Sequence, residues 1–255
     1  LLGLNAPVMF SKEMEMPGFK VLHDSAVDYL TTTPTLVSAL NEIKKWSINN
    51  PTHVPVFILL EMKDKSPVPL AKKPVQFNRD LLEGVESEIL SVFKKEQIIT
   101  PDLVRGKFKT LREAVLTKGW PSVDSSKGKV MFGLDNGGTI RNMYIAKNPS
   151  LEGRLLFASV GENDPGAAFF KLNNPVRAHA QIKRLVKSGF MVRTRADSDT
   201  REARKNETTR RDKALSSGAQ FVSTDFPEPN KKFSDYSVSF KKGTNFRINP
   251  ISGKK

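Results

Sequence analysis

The sequence predicts an α/β fold of the (β/α)8-barrel type in which about six strands are present. Three observations lead there. Strand-like apolar runs alternate with helix-like stretches along the chain, the pattern of parallel βαβ units. Polar residues recur where those runs end: His23, Glu61 with Lys63, Asp135 with Asn136, Arg193 with Arg195 and Asp197, and Asp225. In a parallel barrel all such ends surround one mouth, where the chemistry is placed. The third observation is an absence: no Gly-rich phosphate loop follows the first strand, as a doubly wound sheet would usually show.

The elements follow in order. FKVLH (19–23) reads as a strand ending on His23. Residues 34–51 place Leu36, Leu40 and Ile43 at helical spacing, with Pro34 near the start and Pro51 at the stop. VPVFILLEMK (54–63) is a near-continuous apolar run, expected of a strand buried on both faces. Residues 77–95 form an amphipathic helix, and 100–121 two short helices, the first capped by Thr100 with Pro101 behind it. GKVMFGLDN (128–136) and GRLLFASV (153–160) are strands; AAFFKLNNP (167–175) extends or follows the latter. Residues 175–190 form a helix stopped by Gly189, FMVRTRAD (190–197) a strand, 200–218 one helix ending at Gly218, and 219–229 the last strand. The expected organisation is one domain over 1–255 with an irregular tail at 230–255, where 236–248 could form a short hairpin.

Composition narrows the function. The 255 residues contain no cysteine, which excludes disulfides, thiolate metal sites and a cysteine nucleophile. A net charge of +14 attracts polyanions such as anionic lipid head groups, phosphate-bearing substrates or nucleic acid. The cations are scattered and the aromatics do not interleave with arginine, which argues against nucleic acid. No apolar run is long enough, at about eighteen residues, to span a membrane. The chain opens on Leu1 without a signal-peptide pattern, so it is expected to be processed, trimmed or incomplete at its start.

At the strand ends, each side chain has a plain and a chemical reading. Glu61 either marks a strand reaching solvent or, facing a barrel mouth, requires a proton or a cation; a hard divalent ion such as Ca2+ takes carboxylate oxygens. Glu61 and Lys63 share one strand face. His23 is either structural or a proton carrier suited to neutral pH. His53 precedes its strand, and His179 lies in a helix pointing outwards. Arg193 and Arg195 share a face and either hold a phosphate or carboxylate cluster, or form salt bridges with Asp197, Asp199 or Glu202.

Five segments match a known family: PGFKVLHDSAVDY, IKKWSINNPTHVPVFILLEMKD, IITPDLVRGKFKTLREAVLTKGWPSV, GKVMFGLDN and the long stretch VRTRADSDTREARKNETTRRDKALSSGAQFVSTDF. In this order, over about 17–250, the chain resembles the calcium-dependent phosphoinositide-specific phospholipases C of bacterial and fungal type. The resemblance implies a TIM barrel and cleavage of the phosphodiester between diacylglycerol and phosphoinositol. The inositol 2-hydroxyl attacks phosphorus and gives a cyclic inositol phosphate; two histidines serve as base and acid, and Ca2+ assists.

Carried onto this chain, the resemblance implies His23 as the second histidine, Glu61 as a calcium ligand with Asp135 a weaker one, and Lys63, Arg193, Arg195 and Asp225 as substrate contacts. It also implies a first histidine, a neighbouring Asn and an acidic E-x-D pair on two strands before FKVLH. Residues 1–17 contain no histidine and no such pair, so the expectation is a barrel carrying strands three to eight. A glycerophosphodiester phosphodiesterase, or a catalytically incomplete homologue that binds phosphoinositide or anionic lipid, are the alternatives. The expected setting is extracellular, a monomer in peripheral contact with an anionic membrane.

Overall fold

A computed structural model describes residues 2–3, 12–24, 28–65, 74–240, 244 and 246–253. It divides into two compact units. The first comprises residues 1–114, 120–158 and 164–166, the second 115–119, 159–163 and 167–255.

The first unit is built on a three-stranded parallel sheet in the order β3 (Val56–Leu60), β4 (Val130–Leu134), β5 (Leu156–Ala158). Central β4 is buried throughout, whereas β3 is half-buried from Val56 to Leu59. That corrects the expectation of a strand covered on both faces: β3 is paired on one side only among the described residues. Gly133 in β4 makes room for its neighbour, since a Cβ there would sit 2.5 Å from the Phe57 ring. Helices α1 (Leu36–Asn49) and α2 (Arg79–Val92) pack against each other. Thr35 caps α1 in a reciprocal box with Ser38, and the Asn78 side chain accepts from the Leu81 N–H to cap α2. Short helices α3 (Pro101–Arg105) and α4 (Leu111–Thr117) follow, with Thr100 and Pro101 in their expected capping places. Two helices were not foreseen: α5 (Val123–Ser126) and α6 (Gly138–Ile145).

FKVLH is the main departure. It yields only β2 (Lys20–Val21), paired antiparallel with β1 (Leu2–Gly3), and belongs to neither parallel sheet. The local chemistry explains why it stops. The Lys20 ammonium, inside the fold, donates to the Met16 and Gly18 carbonyls, and the His23 and Asp24 amides both donate to the Asp28 carbonyl, which turns the chain.

The second unit repeats the parallel motif in the order β6 (Phe169–Lys171), β7 (Met191–Arg195), β8 (Phe221–Ser223). AAFFK is thus a strand of its own, and among the described residues six strands lie in parallel ladders. Helix α7 (His179–Lys187) ends before Gly189, whose φ of 98° suits glycine. The single helix expected over 200–218 is two, α8 (Arg201–Lys205) and α9 (Thr209–Ser216). Asn206, in the left-handed region at φ 51°, breaks them as a short polar side chain can. Past β8, Phe226 and Tyr236 pack with Ala203, and the Val238 amide donates to the Phe226 carbonyl, anchoring a segment without regular structure. The expected hairpin at 236–248 lies partly outside the described residues; what is described there contains no strand. No helix among the described residues is long and apolar enough to cross a membrane.

Candidate active site

In the first unit the carboxyl ends of β3 and β4 open into a cleft of about 610 Å3. Register brings Leu60 beside Leu134, so Glu61 and Asp135 stand one step past a paired end. The ladder gains one more rung from the Asp135 amide, which donates to the Leu60 carbonyl at 2.7 Å. Asn136 then substitutes for a strand: its Oδ1 accepts from the Met62 N–H at 2.7 Å and its Nδ2 donates to the Met62 carbonyl at 3.0 Å. Clamping Met62, which is buried, turns Glu61 and Lys63 to the other side, where both line the cleft. The Lys63 ammonium lies 3.3 Å from the Glu61 carboxylate, each about one-third exposed. The cleft is completed by Asp64, Gln76 and the first turn of α6. Asn136 is the residue whose role sequence reasoning missed. Its sign was its place directly after Asp135 at the end of a fully buried strand.

His23 is not at the end of a barrel strand. It sits in the bend after β2, its side chain 71% exposed, with Nδ1 2.9 Å from Asp28 Oδ2. A carboxylate on Nδ1 fixes the tautomer of a neutral imidazole and leaves Nε2 to exchange a proton. His53 is held by Ser47 and by its neighbour's carbonyl, in keeping with a structural role.

In the second unit the side chains of Arg193 and Arg195 fall on one face of β7, while Val192 and Thr194 are fully buried on the other. Arg193 donates from Nε to Ser223 Oγ at 2.8 Å and from Nη1 to Asn173 Oδ1 at 2.7 Å. Arg195 reaches Asp225 at 3.9 Å, so these two predicted substrate contacts come together. The salt bridges expected with Asp197, Asp199 or Glu202 are not the ones made. Asp197 is buried and accepts from Thr224 Oγ1 at 2.5 Å and from the Asp225 amide at 2.9 Å, with the Tyr236 hydroxyl 3.3 Å away. Burial, and then the Asp197 carboxylate, push the Tyr236 phenol well above its ordinary range. Asp199 pairs with Arg201, and Glu202 with Arg210.

A family description matches residues 2–250: phosphoinositide phospholipase C, Ca2+-dependent. The chain belongs to that family. Its members cleave the phosphodiester of phosphoinositides, and the cofactor is Ca2+. Among solved structures, it is similar to a calcium-dependent phosphoinositol-specific phospholipase C from a Gram-negative Pseudomonas sp, in a form with myoinositol. The two are 16% identical, with a TM-score of 0.60, over 90% of this chain and 78% of that one. A Ca2+-dependent phosphatidylinositol-specific phospholipase C from Streptomyces antibioticus is 18% identical, with a TM-score of 0.55, over 75% and 70% of the two chains. No curated protein matches. These structures fix the fold as the α/β, TIM-barrel type.

The oxygen donors of the cleft suit a hard cation in kind. In number they form part of a shell: among the described residues no three His, Cys, Asp or Glu side chains come together to hold a metal ion.

Proposed function

We propose that this enzyme cleaves phosphatidylinositol-type lipids by attack of the inositol 2-hydroxyl on phosphorus. The new O–P bond closes a cyclic inositol phosphate as the bond to the diacylglycerol oxygen breaks; the 2-hydroxyl gives its proton to solvent, and His23, as the imidazolium with Nδ1–H on Asp28, passes its Nε2 proton to the leaving oxygen. The His23–Asp28 pair at 2.9 Å carries the assignment, because it holds Nδ1 and frees Nε2. Glu61, with Asp135 beyond the neighbouring strand, would contribute carboxylates to Ca2+, which when bound offsets negative charge at the phosphate. Lys63, Arg193 and Arg195 are cations suited to the phosphate or the inositol hydroxyls, and Asp225 orients Arg195.

Peripheral contact with anionic lipid belongs to the same reading, and the +14 charge supports it. So do secretion, a monomeric state and one catalytic domain over 1–255 with its tail at 230–255.

The experiment is a phosphatidylinositol cleavage assay with Ca2+ or chelator, with products resolved by phosphorus NMR. Cyclic inositol phosphate is expected, and free glycerol phosphate would point to the glycerophosphodiesterase alternative instead. His23→Ala is expected to lose about a hundredfold or more in turnover. Because the side chain is mostly exposed, stability should move by less than about 0.5 kcal/mol. Undiminished turnover in that variant removes His23 from the mechanism.

A further inference from the structure

The second unit holds a groove of about 530 Å3 made of none of the residues assigned above. Lys183 of α7, Ser216 of α9 and Arg247 of the C-terminal segment line it, over an apolar floor that includes Leu215 and Ile251. Its one acidic lining residue is already committed: Asp212 accepts from Thr208 Oγ1 at 3.0 Å and from Arg211 Nε at 3.1 Å. The Arg247 guanidinium donates to the neutral Leu215 carbonyl.

His179 stands at the edge, its Nε2 3.2 Å from Ser216 Oγ. That hydroxyl donates to the Asp212 carbonyl at 2.7 Å, so it receives the proton on Nε2. The imidazole's pKa is lowered by burial first and then by the positive charges of Lys183 and Lys213. Phe246 and Ile248, on either side of Arg247, are 63% and 69% exposed.

We propose that this groove binds a phosphate group. A lysine point charge and a guanidinium fork line it, and its carboxylate is already paired with Arg211, so an anion can be taken up there. The apolar floor and the two exposed side chains suit a phosphate that carries hydrocarbon. The same chemistry would also take free phosphate.

The full chain has three histidines, so each imidazole can be followed by NMR. Titration with inorganic phosphate is expected to raise the His179 pKa by about one pH unit, as a nearby anion does, while chloride at matched ionic strength does not. Lys183→Gln, an exposed change, should weaken the phosphate response about tenfold, and Arg247→Gln should do the same; an unchanged circular dichroism spectrum and urea midpoint certify the fold in each. Sedimentation with phosphatidylcholine vesicles, with and without phosphatidic acid, identifies the source. Binding to the acidic vesicles that is lost in both variants assigns a lipid head group; vesicle binding that both variants leave intact, alongside the phosphate response, assigns free phosphate. A His179 signal that ignores phosphate, follows chloride equally, or responds unaltered in Lys183→Gln overturns the proposal. None of these readouts depends on lipid cleavage.

Discussion

The first unit of this phospholipase buries Glu86 and the second buries Asp197, and the two carboxylates are satisfied differently. In the first, Glu86 of α2 meets a full charge: Arg154 Nη1 donates to it at 3.0 Å. The Tyr144 hydroxyl at 2.6 Å and the Leu155 amide at 2.7 Å complete its shell, and Arg154 also stacks 4.7 Å above the Tyr144 ring. In the second, Asp197 past the end of β7 takes neutral donors alone among the bonds described above: a threonine, a backbone amide and a tyrosine. The lesson concerns what is left behind. Removing Glu86 leaves the buried Arg154 cation only the longer Glu83 contact at 3.7 Å, whereas removing Asp197 leaves neutral groups, two of them hydroxyls that can turn to other acceptors.

The largest effect should therefore be Glu86→Ala, at about 3–5 kcal/mol of stability by urea denaturation. Replacing Glu86 and Arg154 together with apolar residues should recover much of the loss, since no charge then remains buried. Asp197→Ala should cost less, about 2–3 kcal/mol, with turnover reduced as well, because Asp197 fixes the Asp225 backbone and Asp225 faces Arg195. Equal losses in the two alanine variants would break the comparison.

A smaller effect sharpens the contrast between structural and site carboxylates. Glu61 is one-third exposed and paired only with Lys63 among the ion pairs described. Glu61→Gln is expected to raise the Ca2+ concentration for half-maximal turnover at least about tenfold, with stability within about 0.5 kcal/mol of the parent.

The smallest effect tests the tyrosines attached to the two carboxylates. Both phenols are raised, by burial first and then by Glu86 for Tyr144 and Asp197 for Tyr236. A raised folded pKa contributes stability that is whole below the ordinary phenol value of 10.0 and is lost as pH climbs towards the folded value. Denaturation midpoints should accordingly fall above that pH. In a Tyr29→Phe background, difference absorbance should show phenolate only as the fold opens; its appearance in native protein near pH 10 would refute the burial of the two rings.

The secondary structure was legible where spacing and caps act locally. Leu36 and Leu40 at helical spacing, Thr100 before Pro101, and the apolar run VMFGL each settle their own conformation through neighbours a few residues away. The alternation of MVRTR likewise determined that Arg193 and Arg195 share a face, because a strand's side chains alternate whatever lies beside it. The family could be read as well, since its segments are long and ordered.

Tertiary structure decided the rest. FKVLH has a strand's composition, yet whether it joins a ladder depends on partners distant in sequence; the Lys20 ammonium and the Asp28 carbonyl turned it away. That moved His23 off the strand end and onto Asp28. Half-exposure of β3 goes with its having one ladder partner among the described residues, which no residue within it encodes. Asn136 became a clamp only because Met62 lies across from it, 74 residues away. Local propensity can be read from a string, but a hydrogen bond or a buried charge is settled by which distant groups arrive beside it.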